Sequence, residues 1–184
     1  LLNDKDASAV RDHVQRVLES DKSSWRVKCV ILDNYHVFLA ESLKFLKYKN
    51  MFDKLFTHDE QEVKCGVIRA LTDLLKRVNN IEDLSMWYES FEDFVESKLR
   101  KSTNYYVNIN TIDLLIAMAS KKHIYQKLHD ISMEIFLEML ERVESDDFKT
   151  KAVQYLESYL IDKFEYEQAV TPQDEEVNTL FAKI

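Results

Sequence analysis

The chain has 184 residues, 46% hydrophobic and 32% charged, with a formal charge of −8 at pH 7, which is ordinary for a soluble globular chain able to form one domain with a sizeable core. One glycine (Gly66) and one proline (Pro172) leave too little turn chemistry for a fold of tight β-hairpins, so an all-α fold is expected. The acidic balance, with no basic run, excludes a phosphate-tracking nucleic-acid binder and favours basic or neutral partners. No window approaches the roughly 18 to 20 apolar residues of a membrane span. The opening Leu1-Leu2-Asn3-Asp4-Lys5-Asp6 lacks the basic, apolar, small-residue order of a signal peptide. Two cysteines 36 positions apart suit a reduced intracellular chain, so a cytoplasmic location, extending to the nucleus, is expected.

The first predicted helix carries Val10, Val14, Val17 and Leu18. A polar turn, "SDKSS", then leads into "WRVKCVILDNYHVFL", where apolar residues recur every three or four positions from Val27. The next helix carries Leu43, Phe45, Leu46, Phe52 and Leu55 and ends at the turn "THDEQ". It is followed by "VKCGVIRALTDLL" from Val63. A third outer helix with Trp87, Phe91, Phe94 and Val95 leads through "KSTN" to "YYVNINTIDLLIAMA", anchored on Val107. A fourth, with Ile131, Ile135, Leu137 and Leu140, leads through "SDD" to "FKTKAVQYLESYL", anchored on Phe148. The ending "TPQDEEVNTLFAKI" reads as Thr171 N-cap, Pro172 at the first helical position, Asp174 in the first turn and Val177, Leu180, Phe181 and Ile184 at helical spacing.

The four anchors lie 36, 44 and 41 residues apart, within the range of helical repeats. Four residues after each anchor stand Ile31, Val67, Thr111 and Ala152; eight after, Tyr35, Leu71, Leu115 and Leu156; twelve after, Leu39, Leu75, Ala119 and Leu160. These positions form one helical stripe, so one face of each copy is expected to be buried. The expected architecture is therefore an α-solenoid of antiparallel helix pairs, with an outer helix A followed by a recurring helix B. Its repeats span about 8–40, 41–78, 81–120 and 122–162, with a terminal helix at 172–184, in a single domain over 1–184 that continues into a longer solenoid. Asp, Ser and Thr in the A to B turns are expected to cap helix B, and the acidic residues to complement its dipole.

The residues Asp21, Lys22, Ser24, Trp25, Arg26, Val27 and Lys28 resemble the second-helix signature of HEAT repeats, most closely that of the scaffold (A) subunits of type-2A protein phosphatases. "HDEQEVKCGVIRALTDLL" fits the same pattern of acidic turn, Val63, basic Lys64 and apolar spacing. The sequence departs from the family in the extra Ser23, in Lys28 where arginine is usual, in uneven anchor spacing, and in Asn108 at the basic position of the third copy. The resemblance implies a non-catalytic scaffold whose A to B turns grip a phosphatase catalytic subunit and a regulatory subunit. Asp21, Lys22 and Ser24 would lie at the tip of the first such turn, supported by Trp25, Arg26 and Lys28, with His58, Asp59 and Glu62 in the second.

From the residues alone, Trp25 is expected to fill the junction between repeats. Arg26, Lys28, Lys64 and Lys149 are expected to pair with acidic turn residues as a structural ladder. The adjacent Tyr105 and Tyr106 are expected to expose one ring as a partner contact. There is no His-Glu-x-x-His, no Cys-x-x-Cys and no Gly-rich loop, so no catalytic, metal or cofactor site is expected. Cys29 and Cys65 occupy the same repeat position and read as packing residues. Two alternative readings stand beside the scaffold. One is a transport- or chaperone-like adaptor holding a basic cargo on an acidic inner strip marked by Asp33 and Asp113; the other is a tubulin-binding array, disfavoured because three of the four turns carry acid.

Overall fold

The alternation of short polar turns with apolar helical stripes produces alternating helices and, among the described residues, no strand. The computed structural model describes residues 4–38 and 45–166. In chain order the helices are α1 (Asp4–Glu19), α2 (Trp25–Asp33), α3 (Tyr35–Phe38), α4 (Phe45–Phe56), α5 (Gln61–Arg77), α6 (Ile81–Asp93), α7 (Tyr105–Ala119), α8 (Gln126–Arg142) and α9 (Asp146–Tyr166). A π-helical stretch, Phe94–Leu99, continues α6. Leu39, Leu43 and the expected terminal helix at 172–184, with its Thr171 cap, lie outside the described residues, as do the side chains of Phe45, Leu46 and Leu160. The chain divides into two compact units, Leu1–Val95 and Glu96–Ile184.

In the first unit α5 is central, touching α2, α3 and α4, while α1 packs on α2 and α4, and α4 on α6. This is an irregular all-α packing around one helix. The expected stripe of α5 is buried: Val63, Val67, Leu71 and Leu75 have no more than trace exposure, joined by Ile68 and Leu74. Each such side chain contributes about 1.5–3 kcal/mol by leaving water. Gly66 allows α2 to approach closely, since a Cβ there would lie 3.0 Å from Leu32 Cδ1 and 3.3 Å from Leu32 Cβ. The Phe52 ring meets Tyr35 edge-on at 5.3 Å and Phe91 at 5.9 Å, joining α3, α4 and α6 through a shared aromatic contact.

The first recurring helix departs from the expected stripe. Val27 is 47% exposed, while Lys28 and Leu32 face inward. Leu32 and Tyr35, three positions apart, lie on one helical face, and turning both bulky side chains inward carries Lys28, four residues before Leu32, to the same side. The helix also stops at Asp33 and resumes at Tyr35. Asn34 stands at the break, its side-chain amide donating to the Val30 carbonyl at 2.8 Å, a local bond that competes with helix continuation.

In the second unit α7 is central, packing on α8 and α9. Its stripe of Val107, Thr111, Leu115 and Ala119 is buried as expected, as are Phe148, Ala152 and Leu156 of α9. Phe136 stacks on Tyr155 with centroids 4.0 Å apart, and the Tyr155 hydroxyl lies 3.0 Å from Ser132 Oγ. At the end of the π-helical stretch, the Arg100 guanidinium binds Glu96 at 2.7 Å and Glu134 at 2.6 Å, and it also binds Glu138. The Arg100 carbonyl accepts a bond from Arg142 at 2.7 Å. These bonds fasten Glu96 and Arg100 to α8.

Two of the four recurring helices have a side-chain cap, of which only Ser145 is one of the Asp, Ser or Thr residues expected; the cap of α7 is Asn104. Asn104 Oδ1 accepts from Val107 N at 3.1 Å and Ser145 Oγ from Phe148 N at 3.3 Å. Ser24 and Glu60 stand at the N-cap positions of α2 and α5 without a side-chain cap bond.

Candidate functional site

The turns that open α2 and α5 come together in the first unit. Asp21 projects from the α1–α2 turn, and its carboxylate lies 3.2 Å from Lys54 Nζ, in the last turn of α4. The same ammonium donates to the Glu19 carbonyl at 3.0 Å. Below this link is a cavity of about 330 Å³. Leu18 and Leu55 form an apolar wall, and Asp21, Lys28, Lys54, Thr57, His58 and Asp59 form the polar part. Four sequence-derived candidates, Asp21, Lys28, His58 and Asp59, thus share one cavity.

Their states differ. Lys28 is only 3% exposed. Burial lowers its pKa; the nearby negative charge of Asp21 opposes that shift, and the positive charge of Lys54 adds to it. His58 is half-buried, with Nδ1 accepting from the Glu60 backbone N–H at 3.0 Å. That bond places the proton of the neutral ring on Nε2. The Thr57 hydroxyl donates to the Lys54 carbonyl at 2.7 Å, while Asp59 is exposed.

The remaining first-turn candidates lie around the cavity or away from it. Lys22 is exposed, its backbone N–H directed to Ser20 Oγ at 3.3 Å. Ser24 is exposed and Trp25 half-buried, with the Arg26 guanidinium 4.5 Å from the Trp25 ring centre. Trp25 therefore carries a cation on its face. Glu62 is exposed in the first turn of α5, where its charge complements the helix dipole.

Tyr105 and Tyr106 belong to the second unit and lie in the first turn of α7, both exposed. Their rings meet edge-on at 5.0 Å. The Tyr105 hydroxyl donates to Asp147 Oδ2 at 2.5 Å, which raises the phenol pKa because ionisation would lose that bond.

The expected ladder of basic residues is built from other side chains. Arg69 Nε meets Asp33 at 2.8 Å and Lys151 Nζ meets Asp113 at 2.7 Å. Each joins consecutive recurring helices. Asp33 and Asp113, the two markers of an acidic inner strip, are thus already paired. Lys54 was missed in sequence because its partner Asp21 belongs to a different turn; its place in the last turn of a helix was the one local signal.

Burial is the leading cause of the raised thiol pKa at both Cys29 and Cys65, consistent with packing cysteines that hold little thiolate. Among the described residues, no group of three His, Cys, Asp or Glu side chains is placed to hold a metal ion. No described helix is long and apolar enough to cross a membrane. No protein-family model matches the chain, and neither a curated protein nor a solved structure matches it.

Proposed function

We propose that the chain is a non-catalytic, protein-binding module of HEAT-like helix pairs, similar to the scaffold subunits of type-2A phosphatases, with the A to B turns as its gripping edge. The contacts of the first unit support the pairing: α1 with α2 and α4 with α5 inside pairs, and α1 with α4 and α2 with α5 between them. The observation that carries the binding reading is the row Val27, Val30 and Val37, which are 47%, 64% and 61% exposed. Three β-branched apolar side chains stand exposed on α2 and α3, with Trp25 and Arg26 opening α2, and exposed apolar and aromatic side chains are what partners cover. The adaptor reading loses its hint of an inner acidic strip, because Asp33 and Asp113 are engaged in ion pairs.

The test is calorimetric titration of the chain against a type-2A phosphatase catalytic subunit. Saturable binding is expected, weakened roughly tenfold by Val30→Asp, as for loss of one buried anchor, with far-UV helicity unchanged. Absence of binding removes the phosphatase assignment.

A further inference from the structure

The inward turn of α2 leaves an unusual group in the cavity between the two turns. Lys28 as a whole residue is 3% exposed, and among the described residues no hydrogen bond or ion pair reaches its ammonium; the nitrogen itself is open to solvent, with the charge of Asp21 acting on it. Its neighbours have other engagements. The Lys54 ammonium is held by Asp21 and the Glu19 carbonyl, and the Thr57 hydroxyl by the Lys54 carbonyl. Lys28 and His58 both line the cavity, and the bond from Glu60 N to His58 Nδ1 leaves Nε2 as the ring nitrogen able to donate.

We propose that this cavity binds a carboxylate carried on a short methylene stem, with Lys28 and His58 holding the two oxygens and Leu18 and Leu55 covering the stem. A monoanion fits better than a phosphate dianion. Asp21 and Asp59 share the cavity, and each like-charge pair at about 4 Å costs about 1 kcal/mol even in water. The volume of about 330 Å³ is at the small end of ligand sites. It accepts one acidic side chain or one small carboxylic acid with a few waters. The chain's charge of −8 opposes long-range attraction of acids, so recognition here is short-range. The site refines the turn-edge reading and rests on it only for the source of the acid, a partner polypeptide.

The test is an NMR titration of the whole chain with propionate, with inorganic phosphate as the contrast, followed at the Lys28 and His58 side chains. Saturable shifts with propionate, weaker ones with phosphate, and their loss in Lys28→Met are expected. Asp59→Asn, at an exposed position, is expected to tighten propionate by about threefold to fivefold through loss of one like-charge contact, and it decides the matter if Lys28→Met fails to fold. A glutamate-containing peptide that displaces propionate identifies a polypeptide source; propionate binding without such displacement identifies a small acid and overturns the partner source. No saturable shift, an equal response in Lys28→Met, or tighter phosphate than propionate overturns the site itself. Val30→Asp leaves propionate binding intact, so failure of the phosphatase titration and failure of this site are separable.

Discussion

Gly66→Ala measures how closely α2 lies on α5. The added Cβ meets Leu32 Cδ1 at 3.0 Å, Leu32 Cβ at 3.3 Å and Arg69 Nη2 at 3.8 Å, against about 3.5–4.0 Å for comfortable carbon contacts. Cδ1 can rotate away, but Leu32 Cβ moves only with the α2 backbone. Alanine in mid-helix is worth about 1 kcal/mol over glycine, and overpacking costs about 1–3 kcal/mol. The net expectation is a loss of about 1 kcal/mol. Leu32→Ala alone costs about 2–5 kcal/mol through transfer and cavity effects. In the double variant the Cδ1 clash is absent and only the 3.3 Å contact remains. Most of the overpacking then disappears, and the two changes couple favourably by about 1–2 kcal/mol. Urea unfolding followed by far-UV circular dichroism gives each value from the midpoint at unchanged slope. If Gly66→Ala stabilises the wild type by the full helix preference, and its effect is the same in the Leu32→Ala background, then α2 and α5 do not touch at this point.

Two further outcomes test local reasoning. Asn104→Ala, which removes the bond to Val107 N at 3.1 Å, is expected to cost about 1 kcal/mol in urea unfolding. Ser24→Ala, where no cap bond forms, is expected to cost less than about 0.5 kcal/mol; equal losses would contradict the assigned caps. The Glu138 carboxyl is held below its usual value of 4.5 chiefly by its hydrogen bond to Arg100. Its stabilising contribution is therefore complete above that unfolded-state value and is lost as pH falls through the lower folded one. Arg100→Met is expected to reduce acid sensitivity in that window, and a wild type and variant whose stabilities fall in parallel below pH 4.5 would refute the link.

The apolar helical stripes were legible because their signal is periodic and local. The stripes of Val63 to Leu75, Val107 to Ala119 and Phe148 to Leu156 are buried where spacing put them. The first copy misled for a nonlocal reason. Val27 aligns with the other anchors, but α2 orients by the bulk of Leu32 and Tyr35, and Gly66 on the facing helix accepts Leu32 closely. A long polar side chain beside a cavity can occupy an inward position that a hydrophobic pattern reserves for valine. The cavity itself joins residues from two turns. The resemblance nominates Asp21, Lys28, His58 and Asp59, but the position of Lys54 against Asp21 depends on α1 meeting α4.

The paired acids also change what the net charge means. Asp33 and Asp113 stand six positions after their anchors and look in sequence like repeated contributions to one acidic surface. Each instead meets a cation on the following recurring helix, Arg69 or Lys151. Such exposed pairs add little stability individually, but they favour one sliding register of neighbouring helices over others, because a shifted register leaves like charges or unpaired groups opposed. The turns carry comparable links in Asp21 with Lys54 and Tyr105 with Asp147. Acidic residues engaged in this way cannot each be assigned to a basic ligand, so the charge of −8 selects no partner by itself. Selectivity must come from groups the packing leaves available. On the binding proposed for the first unit, these include the exposed valines of α2 and α3 and the Lys28 ammonium, which together suit a partner that offers an apolar face and an acid.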